Sequence, residues 1–251
     1  LVSTWAVHCG IATYTESLVT ALRQLGHRVT ILAEGAPGQS YIDKQTIACW
    51  QRSHAYSSMS GLGRIHGLIA GAKTRPDIVH FQHEFAFFSD ADFERVVDEL
   101  QTMHIAVTTT LHTVTAPPRR SGLLRRLPYF IERPIVHTHE AAAALQAYGH
   151  GTPAVISHGV TIPEAQRQPP DARLREKLKL NPSFVYGLCP GFISRSKNHR
   201  EIIEGLAASE LHLVIAGECR DENYRLQLEN WLDEFGVRDR ATLCYGWQMN
   251  D

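Results

Sequence analysis

The pattern that most constrains the fold is a strand, a glycine-containing loop, a helix and a second strand within the first 33 residues. Apolar residues between Ile11 and Leu25 recur at helical spacing, and Gly26 follows where a helix commonly ends. Arg28–Ala33 is rich in β-branched residues, which is typical of a strand. We therefore predict a βαβ unit whose Gly10 loop lies at the carboxyl edge of the sheet, where such folds bind ligands.

The alternation of strands and helices continues along the chain and predicts a parallel α/β fold. Further strands are predicted at Asp77–Phe81, Ile105–Leu111, Ile135–His139, Pro153–Ser157, Phe184–Leu188, Leu211–Ala216 and Ala241–Tyr245. Helices are predicted at Leu62–Ala72, Phe93–Met103, Glu140–Tyr148, Asp171–Leu180, His199–Ala207 and Tyr224–Phe235. Tyr41–Trp50 is ambiguous between the two. The proline-rich segment Thr161–Asp171 indicates a boundary between an N-terminal domain, residues 1–160, and a second domain, residues 161–251.

Composition excludes several classes of protein. A formal net charge of -1 argues against a general nucleic-acid binder, whose surface would be basic. No apolar run approaches the roughly 20 residues that a membrane-spanning helix needs. The five cysteines are scattered and odd in number, which argues against a disulfide framework and favours a reducing compartment such as the cytoplasm. The chain opens inside a strand and stops just after one, so we expect it to be clipped at both ends.

A short basic loop containing Gly191, Arg195 and Lys197 lies between a predicted strand and a predicted helix. The start of a helix offers free backbone N–H groups and a partial positive charge, which suit a phosphate. Lys197 and Arg195 would add full charges there. The alternative is an ordinary βα turn with solvated basic residues. The Gly10 loop is a second candidate phosphate loop.

Polar side chains follow two other predicted strands. His83 and Glu84 come after Asp77–Phe81, and their expected role is to line a cleft. The HxxHE spacing that starts at His80 supplies no obvious third ligand, so we do not predict a metal site there. His112 follows the next strand, either as a hydrogen-bond donor to a substrate hydroxyl or phosphate, or as a structural histidine.

Three more strand ends carry polar residues. Gly217 and Glu218 follow Leu211–Ala216, as a contact to a bound nucleotide or simply as a turn glycine and an exposed acid. The run from His137 to Glu140 is a further candidate polar strand edge, and the short strand Pro153–Ser157 ends in His158 and Gly159.

The segment Thr115–Pro128 contains three prolines and four arginines and predicts an irregular, exposed, basic loop. Arg119 and Arg120 lie in it. The functional interpretation is a contact for an anionic acceptor or a membrane surface, and the alternative is a solvated loop.

The order of these segments resembles a known family. Along the chain they are HCGIATYTESLVTALRQLGHRVTILA, DIVHFQHEF, VTTTLHT, PAVISHGV, GFISRSKNHREIIEGLA and LHLVIAGE. This succession is similar to the retaining nucleotide-sugar glycosyltransferases of family 4, which have the GT-B architecture. The resemblance implies two Rossmann-like domains facing a cleft, an acceptor-side N-terminal domain and a donor-binding C-terminal domain. It also implies a hexosyl donor carried by UDP or GDP, and no metal or other cofactor.

The resemblance assigns roles to particular residues. Gly10 would lie by the donor diphosphate, with Gly191, Gly217 and Glu218 as further donor contacts. His112 would contact the donor sugar near the reacting centre, and Lys197 would neutralise the diphosphate leaving group. On the acceptor side, His83, Glu84, Arg119 and Arg120 would face a glycan, a lipid-linked carrier or another hydroxyl acceptor, with peripheral contact to the inner face of a membrane.

The chain departs from the family pattern in two places. Phe192 stands where many members carry an arginine, and Arg195 is the candidate to supply that charge. The acidic E-x7-E segment, which helps to bind the donor sugar and ribose, would lie beyond Asp251, so we expect the second domain to be incomplete.

Two rival functions stay open at this point. One is an NAD(P)-dependent oxidoreductase on a Rossmann fold, although the Gly10 loop lacks the GxGxxG fingerprint. The other is a glycosyltransferase-like binding module without turnover. The nucleotide that binds separates the first from a transferase, and release of sugar from a nucleotide sugar separates the second.

Overall fold

The structure is a computed structural model of the 251-residue chain and describes residues 1–36, 38–52, 62–114, 121–159 and 172–246. Contacts divide the chain into two compact units, Leu1–Thr161 and Ile162–Asp251, called unit 1 and unit 2 below. The predicted boundary segment Thr161–Asp171 lies outside the described residues. Within the described part of the chain, no helix has the length and apolar character needed to cross a membrane.

Unit 1 contains a seven-stranded parallel sheet with the order β3-β2-β1-β4-β5-β6-β7. Its strands are β1 (Val2–Ser3), β2 (Ile31–Glu34), β3 (Thr46–Trp50), β4 (Ile78–His83), β5 (Ala106–Leu111), β6 (Ile135–Val136) and β7 (Ala154–Val155). Its helices are α1 (Gly10–Gln24), α2 (Arg64–Ala70), α3 (Asp90–Thr102), α4 (Ser121–Arg126) and α5 (His139–Ala147). The parallel βα order agrees with the prediction, and the ambiguous stretch resolves into β3.

Helix α3 shows why the sequence builds these elements where it does. The Ser89 side chain accepts a hydrogen bond from Asp92 N at the start of the helix, and two aspartates lie in the first turn. The four side chains predicted to face inward are all buried, and they are Phe93, Val96, Val97 and Leu100. They belong to the main core cluster, where they pack onto the sheet together with buried residues of β4 and β5.

The prediction of an exposed basic loop over Thr115–Pro128 is partly wrong. Residues 115–120, including Arg119 and Arg120, lie outside the described residues, but the chain from Ser121 forms α4. Leu123, Leu124 and Leu127 are fully buried. Leucines spaced by three and four residues make one apolar helix face, so hydrophobic burial outweighs the neighbouring charges. Arg126 stays at the surface, 2.6 Å from Glu94.

Strand β4 runs two residues further than the predicted Asp77–Phe81. Its pairing with β5 continues through Gln82 opposite Thr110 and His83 opposite Leu111. Two residues that the sequence pattern places after the strand therefore belong to it. Because successive strand residues face opposite sides of the sheet, this extension decides where the two side chains point.

Unit 2 contains a three-stranded parallel sheet with the order β10-β9-β8. Its strands are β8 (Tyr186–Pro190), β9 (His212–Gly217) and β10 (Ala241–Tyr245), and its helices are α6 (Ala172–Lys177), α7 (His199–Ala207) and α8 (Glu222–Glu234). The core of this unit lies between the sheet and two of these helices, with Ile203 of α7, Ile215 of β9 and Leu228 of α8 fully buried. The helix predicted over His199–Ala207 and the strand predicted over Ala241–Tyr245 have the predicted bounds.

Candidate functional site

Three histidines meet at the carboxyl edge of the sheet in unit 1. His112 follows β5 directly, His137 follows β6 directly, and His158 comes shortly after β7. These strands are neighbours in a parallel sheet, so their carboxyl ends lie side by side. One ring nitrogen of each histidine lies within 4.8 Å of the other two. We call His112, His137 and His158 the histidine cluster.

Tyr14 of α1 packs against all three members of the histidine cluster. Its ring centroid lies 5.1 Å from that of His112, 5.2 Å from His137 and 4.8 Å from His158. Gly10, one turn earlier, is the first residue of α1 rather than part of a loop. Nothing lies within 4 Å of the point where a Cβ on Gly10 would be. The structure therefore brings Gly10 to the same edge of the sheet as His112.

His112 is held in one orientation by its neighbours. Its Nε2 lies 2.8 Å from Gln82 Oε1, while the Gln82 amide nitrogen lies 3.4 Å from Nε2 of His80. This arrangement places the His112 proton on Nε2 and leaves Nδ1 as an acceptor. Burial and the neighbouring His137, His158 and His80 lower the pKa of His112 to about 4, so the ring is neutral at pH 7. Nδ1 can therefore accept a hydrogen bond, and the donor role predicted for His112 does not fit this tautomer.

An open cavity of about 460 Å³ lies beside the histidine cluster. It is lined by Leu111, His112, Thr113, Val114, His137, Thr138, Glu140, Ala141 and Ala144. Glu140 lies in the first turn of α5, where hydrogen bonds from its own backbone N–H and from the Thr138 side chain lower the pKa of its carboxyl. The volume falls in the range typical of small-molecule sites.

The predicted acceptor-side residues separate in the structure. The ring of His83 is 1% exposed and packs against Phe85, Phe88 and Phe93 at centroid distances of 5.1, 5.7 and 4.7 Å. Burial lowers its pKa to about 3. The expected cleft-lining role of His83 is therefore wrong for this structure, because β4 turns the side chain into the core. Glu84 is half-buried at the strand end and accepts a hydrogen bond from the Thr113 hydroxyl.

Two glycines of unit 2 touch at the carboxyl ends of β8 and β9. Gly191 N donates a 2.9 Å hydrogen bond to Ala216 O, and Ile193 N donates a 2.9 Å hydrogen bond to Glu218 O. A Cβ on Gly217 would lie 1.7 Å from Gly191 O, so only glycine fits there. We call Gly191 and Gly217 the glycine pair. Both predicted donor contacts thus lie at one end of one sheet.

The two predicted cations of the basic loop differ in their surroundings. Lys197 is exposed at the end of a single 3₁₀ turn, and Asn198, with φ 52°, is the N-cap of α7. Among the residues that the structure describes, Lys197 makes no ion pair with a carboxylate. Arg195 points to α8, with its guanidinium 3.4 Å from Asp221, 2.9 Å from Gln227 and 5.2 Å from the ring centroid of Tyr224. The charge of Arg195 is thus directed to α8 and not to the loop.

Arg220 is a candidate that sequence reasoning missed. Its guanidinium carbon lies 5.5 Å from the ring centroid of Phe192, the residue at the family's arginine position. Arg220 also makes two hydrogen bonds to Glu218, at 2.8 and 3.0 Å. The available signal is its place three residues after Gly217, in the turn that follows β9. This position brings a guanidinium to the place where Phe192 interrupts the family pattern.

Comparisons with known proteins identify the family and the fold. A family described as Glycosyltransferase Family 4 matches residues 9–164. No curated protein sequence matches the chain significantly. Among solved structures, a glycosyltransferase from Rickettsia africae is 17% identical with a TM-score of 0.74, and the match covers 100% of this chain and 67% of that one.

Two further solved structures match over nearly the whole chain. HepE from Anabaena, in complex with UDP and glucose, is 15% identical with a TM-score of 0.67, covering 99% of this chain and 69% of that one. The catalytic domain of starch synthase IV from Arabidopsis thaliana, bound to ADP and acarbose, is 14% identical with a TM-score of 0.63, covering 99% and 74%. At these identities the likeness shows the fold, which is the predicted α/β fold of the GT-B glycosyltransferases.

Proposed function

Since this chain belongs to glycosyltransferase family 4, we propose that it transfers a sugar from a nucleoside-diphosphate sugar to a hydroxyl acceptor with retention of configuration. UDP is the first nucleotide to test, because HepE was solved with UDP and with UDP-glucose. GDP is the second. The proposal assigns each unit its own part of this chemistry.

The observation that carries the proposal is the combination of the glycine pair with Lys197 in unit 2. Gly217 lets the two strand ends touch, and Gly191, with nothing within 4 Å of the point where its Cβ would be, leaves room for a ligand to approach the backbone at the carboxyl ends of β8 and β9. Lys197 follows Gly191 in the same loop, two residues before α7, and it is exposed and makes no ion pair among the described residues. Glycosyl transfer releases a nucleoside diphosphate, and a fixed cation near a helix N-terminus stabilises that developing charge.

Arg220 completes this donor site in our proposal. The guanidinium over Phe192 supplies the charge that family members obtain from an arginine at that position. Arg220 is already held by Glu218, so a bound phosphate needs little ordering of its long side chain. This role replaces the one that the sequence analysis gave to Arg195.

In unit 1, we assign the recognition of sugar hydroxyls to the cavity beside His112. The neutral ring, held by Gln82, accepts a hydrogen bond at Nδ1 from a hydroxyl of the donor sugar. Gly10 leaves the start of α1 open for a phosphate oxygen. Glu84 keeps its proposed place on the acceptor side, where its carboxylate can accept from a sugar hydroxyl as well as from Thr113.

Calorimetric titration with UDP, GDP, ADP and NAD⁺ tests the donor assignment. We expect one diphosphate to bind selectively, and Lys197→Ala to weaken it at least tenfold, about 1.4 kcal/mol. Lys177→Ala on the exposed face of α6 is the control and should bind as the wild type does. Binding of NAD⁺ alone would favour the oxidoreductase, and equal binding by both variants would remove Lys197 from the site.

A second measurement tests turnover and stereochemistry. The chain is incubated with the nucleotide sugar that binds and with a panel of hydroxyl acceptors, and the anomeric configuration of the product is read by proton NMR. A product with the anomeric configuration of the donor supports retention, and the opposite anomer would contradict it. Binding of the nucleotide without release or transfer of sugar would support a binding module instead.

A further inference from the structure

We propose that His112, His137 and His158 bind a divalent transition-metal ion of the zinc class at the carboxyl edge of the sheet in unit 1. The inference rests on the geometry of the histidine cluster and not on the proposed transferase activity. His112 and His137 directly follow two adjacent strands, and His158 comes three residues after a third, so the ligands come from three neighbouring strand ends rather than from one loop.

The distances in the histidine cluster suit one ion. One ring nitrogen of each residue lies within 4.8 Å of the other two. Nitrogens bound at about 2.0–2.1 Å to a tetrahedral Zn²⁺ lie roughly 3.3 Å apart. Binding of an ion would therefore have to draw the ring nitrogens together by up to about 1.5 Å, through rotations about the side-chain bonds.

One ring nitrogen of His137 is available to bind a ligand. Its Nδ1 lies 2.9 Å from Ile156 O and donates to that carbonyl, which leaves Nε2 without a proton. Nε2 is buried and has no hydrogen-bond partner among the described residues. Buried polar atoms nearly always have a partner, and a metal ion is one that an unprotonated imidazole nitrogen accepts.

In each of the other two rings, one nitrogen also lies within hydrogen-bond distance of an oxygen atom. His112 Nε2 lies 2.8 Å from Gln82 Oε1, and His158 Nδ1 lies 3.0 Å from Gly159 O. Histidines that bind metals usually donate their second N–H to an oxygen atom, which fixes the ring and its tautomer. All three members of the cluster have such an oxygen partner, so each leaves one nitrogen for the ion.

The donor set selects the class of metal. Three imidazoles and no carboxylate favour Zn²⁺, Cu²⁺, Ni²⁺ or Co²⁺ over Mg²⁺ and Ca²⁺, which prefer oxygen. Three protein ligands leave a fourth position of a tetrahedral ion open. That position faces solvent or the adjoining cavity, because His158 is exposed and His112 and His137 line the cavity. The ion would occupy His112 Nδ1, so in the metal-loaded chain the sugar hydroxyl proposed above to pair with that nitrogen would bind at the open position instead. Water or an oxygen of a bound phosphate can also complete the site.

Metal titration of the tag-free, EDTA-treated chain tests the proposal. We expect one Zn²⁺ per chain, and Co²⁺ should give the visible absorption of a tetrahedral site. His137→Gln and His158→Gln should each lower the affinity for Zn²⁺ by more than the ~10–100-fold that follows the loss of an outer-shell partner. His139→Gln removes an exposed histidine two residues from His137 and is the matched control.

The outcomes separate clearly. Loss of binding in the two cluster variants, with the control unchanged and with metal-free circular dichroism equal to that of the wild type, supports the site. No binding by the wild type, or equal weakening in His139→Gln, would overturn it. Where a variant fails to fold, X-ray absorption of the zinc-loaded wild type decides: three imidazole nitrogens support the cluster, and any sulfur ligand contradicts it. None of these readouts depends on transferase activity.

Discussion

Replacing Gly217 by alanine should disrupt the end of the sheet in unit 2. The new Cβ would lie 1.7 Å from Gly191 O and 2.6 Å from Gly191 C, both of them backbone atoms. Relief to the 3.0 Å that real Cβ atoms keep requires a backbone shift of at least about 1.3 Å. Such a shift pulls apart the 2.9 Å hydrogen bonds from Gly191 N and Ile193 N to the β9 turn.

The size of the effect follows from these two losses. Overpacking in a tightly packed region costs ~1–3 kcal/mol, and a backbone clash cannot be relieved by a change of rotamer. Each weakened hydrogen bond adds ~0.5–1.5 kcal/mol. We therefore expect Gly217→Ala to lower the local opening free energy by about 3 kcal/mol, or about a 100-fold increase in the opening equilibrium.

Amide hydrogen exchange on peptides from β8, β9 and β10 measures this opening free energy directly. Gly205→Ala in α7 is the control, because nothing lies within 4 Å of its new Cβ. Alanine replaces glycine in a helix interior there, so the opening free energy of α7 should rise by ~0.5–1 kcal/mol and its amide exchange should slow accordingly. Wild-type exchange rates in Gly217→Ala would refute the close contact between the two strand ends, and with it the cradle that we assign to the donor.

Three further predictions concern charge. Arg220→Ala should weaken binding of the nucleoside diphosphate severalfold. Arg200→Ala is the control and should leave binding unchanged, although Arg200 also pairs with a glutamate, Glu234, and lies over an aromatic ring. Titration calorimetry measures both affinities, and equal effects of the two variants would contradict the assignment. Replacing Arg119 and Arg120 together by alanine should raise the acceptor KM and leave donor binding unchanged, whereas unaltered acceptor kinetics would remove them from the acceptor side. Burial lowers the pKa of His150, so the unfolded chain takes up a proton there first and the free energy of unfolding falls as the pH drops below about 6.5. Urea denaturation between pH 7 and 5 should show a smaller loss for His150→Gln, and an identical loss would show that His150 does not contribute.

The sequence predicts the elements of the fold well, because periodicity is a local property. The helix over His199–Ala207 alternates apolar and polar residues with a clear period, and the structure has it at those bounds. Leu123 and Leu124 were misjudged because the three prolines and four arginines around them resemble a loop. Only tertiary packing shows that the two leucines are buried in the core.

The site was predictable only in part, for physical reasons. The sequence places His112, His137 and His158 at strand ends, but their convergence depends on the order of strands in the sheet, which no local pattern encodes. His83 was assigned to a cleft because the predicted strand ended at Phe81; β4 continues for two more residues, so His83 faces the same side of the sheet as the buried Phe81. The direction of Arg195 is set by α8, a partner distant in sequence.

The shortness of β7 protects unit 1 from a hazard common to open sheets. An edge strand presents unpaired backbone groups to which a strand of another chain can add, and that is a route to aggregation. In the described part of the chain β7 has two residues, so this edge offers only a few such groups, too few for a stable addition. The opposite edge, β3, has five residues and is therefore where self-association of unit 1 through strand addition would begin.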